Sequence, residues 1–293
     1  MAAFYTEHYR DVARMHKSGV RGIARKLALD ALGMKTALMP NKELQQKSRV
    51  QFIYIHHIFK DEEAGFEKML KAFQQQFTFI GYSEAVNRIK TGNIDRPYMA
   101  FSSDDGFKNN LAAARILEQH GATACFFLNP GTINLTDQDQ IQSHCASRLH
   151  FPPVEFLTWD EVADLQKRGH EIGSHTMWHA KLSEESIDFI QDDLAKSKAA
   201  LESHCGPIEH FAYPYGRWFH FSKEALDATW QAGYTSCASA ERGCHLPTEN
   251  VDPLKLVLRR DHLLANWPVS HMRYFMENNA QGAQKEHDQS PFS

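Results

Sequence analysis

Short apolar runs alternate with amphipathic stretches from about Val50 to Arg260, and this alternation restricts the possible folds more than any other feature of the chain. The apolar runs lie at residues 50–55, 77–80, 98–103, 122–128, 170–174, 209–213, 234–238 and 255–260. The stretches with helical spacing lie at residues 66–73, 83–90, 109–120, 158–168, 183–205 and 222–232. Repeated strand and helix predicts a parallel sheet, and seven or eight such units favour an α/β fold closed into a (β/α) barrel.

The ends of the expected helices and the length of the alternating region predict the domain organisation. Thr158 and Glu161 form a capping box, and Ser183 and Ser222 are expected N-caps. No linker interrupts residues 50–270, so one barrel domain is predicted there. Residues 1–49 are predicted to be an N-terminal helical extension, and residues 271–293 a C-terminal tail that is polar and frayed from about Asn278.

Residues 8–38 predict a basic amphipathic helix. Basic side chains occupy positions 10, 14, 17, 21, 25, 26 and 35, against acidic side chains at positions 11 and 30. Apolar side chains recur at helical spacing, at Val20, Ile23, Ala24, Leu27, Ala31, Met34 and Leu38. Such a helix can lie on an anionic membrane surface or pack on the barrel, and the sequence leaves both alternatives open.

Charge and cysteine content exclude some classes of partner and site. A formal net charge of −4 gives no general attraction to nucleic acid, so no nucleic-acid partner is predicted. The five cysteines have no CxxC spacing, which argues against a zinc ribbon or a disulfide framework. The start of the chain lacks the apolar core of a signal peptide, and no apolar run reaches the roughly 18 residues of a membrane span. We therefore expect a cytoplasmic protein, with contact to the inner membrane face if the basic helix binds lipid.

Two adjacent carboxylates, Asp104 and Asp105, follow the apolar run at residues 98–103. Such a pair repels itself in an apolar setting unless a metal, an arginine or water compensates the charge. Gly106 allows the backbone to turn sharply just after the two acids. The pair therefore indicates a site at the end of a strand, and a solvated turn is the competing explanation.

A pair of histidines follows the apolar run at residues 170–174. His175 and His179 are four residues apart, so on one helical turn they face the same way and can share a metal ion. With 17 histidines in the chain, such a pair also arises by chance. In a barrel, however, the two histidines and the two aspartates all lie at the carboxyl ends of strands, where barrel enzymes build their sites.

A third polar segment, Tyr213-Pro214-Tyr215-Gly216, follows the run at residues 209–213. Pro214 restricts the backbone and Gly216 permits a close turn, so the Tyr215 amide can serve as an oxyanion donor. A buried aromatic turn is the alternative. The connection over residues 129–156 is too long for an ordinary βα loop, and we expect it to shape the site.

Taken in order, Asp104-Asp105-Gly106, His175-Thr176-Met177-Trp178-His179 and Tyr213-Pro214-Tyr215-Gly216 resemble the signature of the polysaccharide deacetylase family of carbohydrate esterases. The resemblance covers about residues 50–260 and includes Tyr54-Ile55-His56-His57. It implies a distorted (β/α) barrel, with seven or eight units here, and a divalent metal, usually zinc.

The resemblance also implies a role for each matching residue. Asp105, His175 and His179 are expected to bind the metal, Asp104 to be the general base, and the Tyr215 amide to stabilise an oxyanion. The remaining expected contacts are with the substrate, a carbohydrate that carries an N-acetyl amino sugar. These contacts are assigned to His57, Tyr213 and Pro214.

The chain departs from the family pattern at two positions. Many members have an arginine two residues before the motif proline, where it orients the base, but this chain has Ala212 there. Arg259 or Arg260, at the end of the last apolar run, is expected to supply that charge instead. The usual late histidine that serves as general acid has no clear match, and His262 is the nearest candidate by position.

These residues together predict a metal-dependent carbohydrate N-deacetylase, a hydrolase acting on a non-peptide C–N bond. Without an export signal, its predicted substrate is an intermediate of surface glycan synthesis, such as lipopolysaccharide or capsule. The alternatives are a glycan-binding protein that holds the metal without turnover, and a hydrolase of another C–N bond such as a formamide. Acetate release that depends on Asp104 distinguishes the deacetylase from both.

Overall fold

The structure of the protein, a computed structural model, describes residues 4–15, 20–248, 252–283 and 290–292. In these residues every strand pairing of the central sheet is parallel. The strands are β1 (Arg49–Ile55), β2 (Thr78–Phe79), β3 (Pro97–Ser103), β4 (Ala124–Leu128), β5 (Glu171–Ser174), β6 (His210–Ala212), β7 (Ser236–Ala238), β8 (Val257–Leu258) and β9 (Arg260–His262). Each apolar run of the sequence contains or overlaps one of these strands.

The last stretch of strand closes the sheet into a barrel. The strand order is β8-β7-β6-β5-β4-β3-β1-β9, and β2 pairs with β3 beside this path. β8 and β9 lie at opposite ends of this order but are separated in the chain by Arg259 alone. Residues 257–258 therefore pair with β7 and residues 260–262 with β1, so one interrupted strand joins both edges. The predicted distorted (β/α) barrel is confirmed.

Helices surround this barrel, and each of the six stretches with helical spacing after residue 50 overlaps one of them. They are α1 (Tyr9–Met15), α2 (Val20–Leu38), α3 (Lys42–Gln46), α4 (Glu63–Phe73), α5 (Tyr82–Thr91), α6 (Asn110–Gln119), α7 (Gln138–His144), α8 (Trp159–Lys167), α9 (Ile187–Cys205), α10 (Lys223–Gln231) and α11 (Val269–Gly282). The capping box of Thr158 and Glu161 and the N-cap Ser222 are confirmed. Ser183 was the wrong N-cap, because it lies in a 3-10 turn and Ser186 caps α9.

The long connection after β4 has more structure than the sequence indicated. It contains a 3-10 turn at Pro130–Thr132, helix α7 and a π-helix at Cys145–Leu149. Its aromatic side chains pack on Phe107 and on Val12 of α1, in a cluster separate from the main core. The stacked rings of Phe107 and Phe151, 5.7 Å apart, fix this connection above the end of the barrel.

Both ends of the chain differ from the expectation. The basic segment predicted as one helix comprises α1 and α2, and Lys17 lies outside the described residues. Helix α11 continues to Gly282, so the chain is not frayed from Asn278. The Asn279 amide donates to the buried Asp261 carboxylate at 2.6 Å, and this tertiary contact compensates the poor helix propensity of asparagine. None of the described helices is both long and apolar enough to cross a bilayer.

Small side chains leave room inside the barrel for one long polar residue. Ala100, Ala212 and Ala238 are fully buried in the cluster that fills the interior. Arg260 is also fully buried, and its guanidinium lies 4.6 Å from the Tyr54 ring centroid. Burial of a lone guanidinium is costly, so the barrel must offer it a counter-charge.

Candidate metal and catalytic site

The polar segments of the sequence meet at the carboxyl ends of the parallel strands. Asp104 and Asp105 directly follow β3, and His175 directly follows β5. His262 is the last residue of β9. Because neighbouring parallel strands end at the same edge of a barrel, these side chains gather on one face.

Asp105, His175 and His179 form a compact cluster of potential ligands. The Asp105 Oδ1 atom lies 3.4 Å from Nε2 of each histidine, and one ligand atom from each of the three residues lies within 4.8 Å of the others. All three side chains are buried, and Oδ1 of Asp105 accepts no hydrogen bond. A buried, unpaired carboxylate oxygen facing two imidazoles fits a divalent cation with further coordination positions open.

The surroundings favour a neutral His179 and an ionised Asp105, the protonation states that metal binding requires. The Nδ1 atom of His175 donates to the Ala212 carbonyl at 2.6 Å, so the lone pair of its Nε2 faces Asp105. Burial lowers the pKa of His179 to about 3, which keeps the imidazole neutral. Burial alone opposes ionisation of Asp105, but the neighbouring imidazoles of His175 and His179 lower its pKa below the usual range.

Backbone strain is concentrated at this site. Asp105, Thr176, His179 and Tyr215 have φ values of 72°, 66°, 58° and 62°, which are uncommon for residues other than glycine. Each such conformation costs on the order of 1 kcal/mol and persists only where the surrounding contacts impose it. The folded barrel therefore holds these side chains in orientations that the local sequence does not favour.

Two buried residues that the sequence analysis missed support the histidine segment. The amide of Asn129 donates to the backbone carbonyls of His175 and Thr176, the latter at 2.9 Å. The Asp193 carboxylate, on α9, accepts the backbone N–H of Met177 at 3.0 Å. The sequence offered one indication of the role of Asn129, which is its place directly after β4, at the same edge as the site. It offered none for Asp193, because the contact of Asp193 with Met177 joins residues 16 positions apart.

Asp193 gives a testable dependence of stability on pH. Burial raises its pKa to about 6, above the value of 3.8 for an exposed aspartate, so the folded state holds the proton more tightly than the unfolded chain. The stabilisation is complete below about pH 4 and is lost as the pH rises through about 6. We expect Asp193→Asn, which keeps an acceptor for Met177, to be about 1–3 kcal/mol more stable than the wild type at pH 7.

The measurement is urea unfolding of both proteins from pH 4 to pH 7. The difference in free energy of unfolding should grow across this range and then level off. A constant difference would show that Asp193 has an ordinary pKa in the folded state.

Arg260 supplies the charge that the sequence lacks at Ala212. Its Nη1 and Nη2 atoms donate to Oδ1 and Oδ2 of Asp104 at 2.8 and 2.9 Å, and Nη1 also donates to the Ser102 hydroxyl at 3.1 Å. Asp104 and Arg260 are both buried. This bidentate pair gives the buried carboxylate of Asp104 a counter-charge, one residue before Asp105.

Several residues expected at the site lie elsewhere. Arg259 does not join Asp104: its backbone amide donates to His245 at 3.0 Å and its guanidinium lies 5.4 Å from the Trp218 ring centroid. Tyr213 is buried in the core, where its ring stacks on Phe221 at 4.2 Å. Successive side chains of an extended segment point to opposite faces. Because Arg260 points into the barrel, its neighbour Arg259 points outward.

Tyr215 borders the ligand cluster on one side. Its ring centroid lies 4.8 Å from that of His179, and its hydroxyl donates to the Arg148 carbonyl at 2.9 Å. Among the described residues its backbone amide donates no hydrogen bond. An amide without an internal acceptor is suited to bind a developing oxyanion.

Three histidines border the site on the opposite side. The Nδ1 atom of His56 and the Nε2 atom of His262 are 3.1 Å apart, and burial together with the nearby His56 lowers the pKa of His262 well below its usual value. His57 is held separately, because its Nδ1 atom lies 2.9 Å from the buried carboxylate of Glu62. These contacts orient His57 and His262 toward a common cavity.

The cavity at this face has a volume of about 320 Å³. It is lined by residues of α1, of the first strand's end, of the long connection and of the ligand cluster, namely Tyr9, Val12, His56, His57, Asp105, Phe107, Arg148, Leu149, His150, Phe151, His179, Tyr215, His262 and Leu264. The rings of Tyr9 and Phe151 both stack on the His57 ring, with centroid distances of 5.7 and 5.3 Å. The cavity therefore combines a metal-ligand cluster with flat aromatic walls.

Comparison with known proteins agrees with this arrangement. A family model described as polysaccharide deacetylase matches residues 91–237, half of the 293-residue chain. The chitooligosaccharide deacetylase of Azorhizobium caulinodans is 28% identical over 132 residues, which are 44% of this chain and 51% of that protein. The chain thus spans about half the length of this curated relative.

Solved structures share the fold at lower sequence identity. IcaB from Ammonifex degensii is 18% identical with a TM-score of 0.64, over 80% of this chain and 98% of that one. The Streptococcus pyogenes deacetylase PplD, solved in complex with acetate, is 17% identical with a TM-score of 0.60, over 79% of this chain and 98% of that one. From the ordered motifs, the closed barrel and the family match, the chain belongs to the polysaccharide deacetylase family.

Proposed function

We propose that this protein is a metal-dependent hydrolase that removes N-acetyl groups from an amino-sugar substrate. The observation that carries the proposal is the adjacent pair of carboxylates, of which one is paired through two hydrogen bonds with Arg260 and the other faces two buried imidazoles. The similarity to a chitooligosaccharide deacetylase supports the same substrate class. An ionised base beside a cation site is the arrangement that hydrolysis of an unactivated amide requires.

A divalent cation, for which we propose zinc, would be held by Asp105, His175 and His179 and would supply Lewis-acid chemistry at the acetyl group. Asp104 takes a proton from the attacking water, and Arg260 orients the Asp104 carboxylate through two hydrogen bonds. The water oxygen bonds to the acetyl carbon, and the carbonyl oxygen then gains negative charge.

The two remaining groups complete the reaction. The Tyr215 amide donates to the developing oxyanion, and His262, in contact with His56, delivers the proton to the leaving nitrogen as the C–N bond breaks. The products are acetate and a free amino sugar. His57 lines the cavity and binds substrate, whereas Tyr213, buried against Phe221, supports the turn from behind.

The shape of the cavity favours a small substrate over a long polymer. Tyr9 and Val12 of α1 form one wall, and the connection around Phe151 forms another. Stacked rings of Tyr9, His57 and Phe151 offer flat apolar surfaces of the kind that pack on sugar rings. We propose a cytoplasmic intermediate of surface glycan synthesis, such as a lipopolysaccharide or capsule precursor, as the substrate.

The test is product analysis with the purified protein on a panel of N-acetylated amino sugars and short oligosaccharides. We expect equal amounts of acetate and new primary amine, activity that is lost with a chelator, and recovery on adding zinc. Formate or ring opening in place of acetate would identify a different C–N hydrolase. Bound metal and bound glycan without turnover would identify a binding protein, an alternative that the lowered pKa of His262 favours, because a less basic imidazole takes up the proton of a general acid less readily.

A further inference from the structure

A cation without a counter-charge among the described residues lines the cavity at the site. Histidines aside, two of the described residues in the cavity lining are charged, Arg148 and Asp105. Asp105 faces the imidazoles of His175 and His179 at 3.4 Å. Arg148 is exposed, and within the described part of the chain its guanidinium has no ion pair. The charge of Arg148 is therefore available to a ligand in the cavity.

The backbone around Arg148 is held in an unusual conformation. Arg148 belongs to the π-helix at Cys145–Leu149, and His150, which ends it, has a φ value of 51°. The turn is fixed at both sides, because the Arg148 carbonyl accepts the Tyr215 hydroxyl at 2.9 Å and the Phe151 amide donates to the Cys145 carbonyl at 2.9 Å. Short π-helices and left-handed residues other than glycine both occur often at functional sites. This turn places Arg148 beside Tyr215.

The guanidinium of Arg148 lies close enough to Tyr215 for its charge to act there. Burial raises the pKa of the Tyr215 hydroxyl, and the positive charges of Arg148 and Lys181 act against that rise. Lys181 already has a counter-charge, because its Nζ atom lies 2.5 Å from the Glu184 carboxylate. Since the Tyr215 ring lies 4.8 Å from that of His179, the unpaired Arg148 is near the ligand cluster.

We propose that Arg148 binds an anionic group, a phosphate or a carboxylate, on the amino sugar whose acetyl group lies at the ligand cluster. The guanidinium donates two parallel hydrogen bonds that match the oxygens of either anion. A neutral hydroxyl offers no counter-charge, and a bound sugar would shield the guanidinium from water. The cavity of about 320 Å³ is at the small end of ligand pockets, so one small ligand reaches both groups. The proposal rests on the proposed N-deacetylase function and adds the charge of the substrate.

Steady-state kinetics on matched sugars tests the proposal. The panel is N-acetylglucosamine, its 1-phosphate, its 6-phosphate and N-acetylmuramic acid, which carries a carboxylate. We expect one charged sugar to have a higher kcat/KM than the neutral sugar, and its identity shows which anion is bound. Arg148→Gln should lower the ratio of these two values about 10–100-fold, mainly through KM, because Arg148 contacts a part of the substrate that does not react. Arg148→Lys should restore part of the ratio, since it keeps the charge without the two parallel donors.

Arg10→Gln is the matched control. Arg10 is an exposed arginine of α1 that does not line the cavity, because it lies about 130° around the helix from the side formed by Tyr9 and Val12. This variant should keep the wild-type ratio. Circular dichroism and metal content of both glutamine variants should equal the wild type, since the altered side chains are exposed. A wild type that prefers the neutral sugar, or an unchanged ratio in Arg148→Gln, would overturn the proposal.

Binding measurements separate this proposal from that of the hydrolase. Calorimetry of the zinc-loaded protein with glucosamine, glucosamine 1-phosphate, glucosamine 6-phosphate and muramic acid requires no turnover. Tighter binding of a charged sugar that Arg148→Gln weakens at least about tenfold would support the anion site, even where no acetate is released. Equal binding of charged and neutral sugars, or charged-sugar binding that Arg148→Gln leaves unchanged, would overturn the anion site even where acetate is released.

Discussion

Asp104→Asn is expected to lower kcat/KM for an N-acetylated amino sugar by about 10²–10⁴-fold. Asparagine keeps the shape of the side chain but cannot accept the proton of the attacking water. The Asp105, His175 and His179 cluster is untouched, so the metal content of the variant should equal that of the wild type. Steady-state kinetics and elemental analysis on the same preparation measure both quantities.

Asp105→Asn is the matched control for this prediction. Its Oδ1 atom faces both histidines, so the loss of its charge should reduce metal content as well as activity. The two neighbouring substitutions thereby separate the base from the ligand. Wild-type turnover in Asp104→Asn, or loss of metal from it, would contradict the role assigned to Asp104.

Arg260→Met is expected to lower the free energy of unfolding by about 3–5 kcal/mol. The substitution leaves the Asp104 carboxylate buried without the two hydrogen bonds that the guanidinium donates at 2.8 and 2.9 Å. Methionine retains much of the apolar volume between the Tyr54 and Phe127 rings. The loss of stability therefore measures the effect of the unpaired charge more than a change in packing. Urea unfolding of the metal-free proteins measures this loss of stability, and activity should fall because Asp104 loses the two hydrogen bonds that orient it.

Two further variants test whether the unpaired charge of Asp104 causes the loss of stability. Arg259→Met changes the neighbouring arginine, which contacts Trp218 and not Asp104, and should cost at most about 1 kcal/mol. The double variant Asp104→Asn, Arg260→Met should be more stable than Arg260→Met alone, because no unpaired charge remains inside the barrel. If the double variant loses the sum of both single effects, the two residues are not coupled as the structure indicates.

The positions of the strands and the clustering of Asp105, His175 and His179 were predictable because both depend on local sequence. Apolar runs that alternate with amphipathic helices are buried as the strands of a parallel sheet that the helices cover. The carboxyl ends of such strands meet at one edge of the sheet. Asp105, His175 and His179 were therefore identified before any geometry was known. The three ordered motifs that carry the resemblance to the family extend from Asp104 to Gly216.

The partner of Asp104 was not predictable to a single residue. Arg259 and Arg260 are adjacent and chemically identical, so the sequence left both candidates open. The pairing of β9 with β1 sets which of them points into the barrel, and that pairing joins residues more than 200 positions apart. The supporting contacts of Asn129 and Asp193 were missed for the same reason.

The sequence by itself determined the repeated strand and helix units, the order of the motifs, and the amphipathic character of α2, because each of these depends on side chains a few positions apart. The tertiary structure alone decided that Arg260 replaces the missing arginine, that residues 269–282 form a helix, and that α2 exposes apolar side chains to solvent. These outcomes depend on which surfaces meet when the barrel closes. Contacts between segments far apart in the chain leave no periodic signal in either segment.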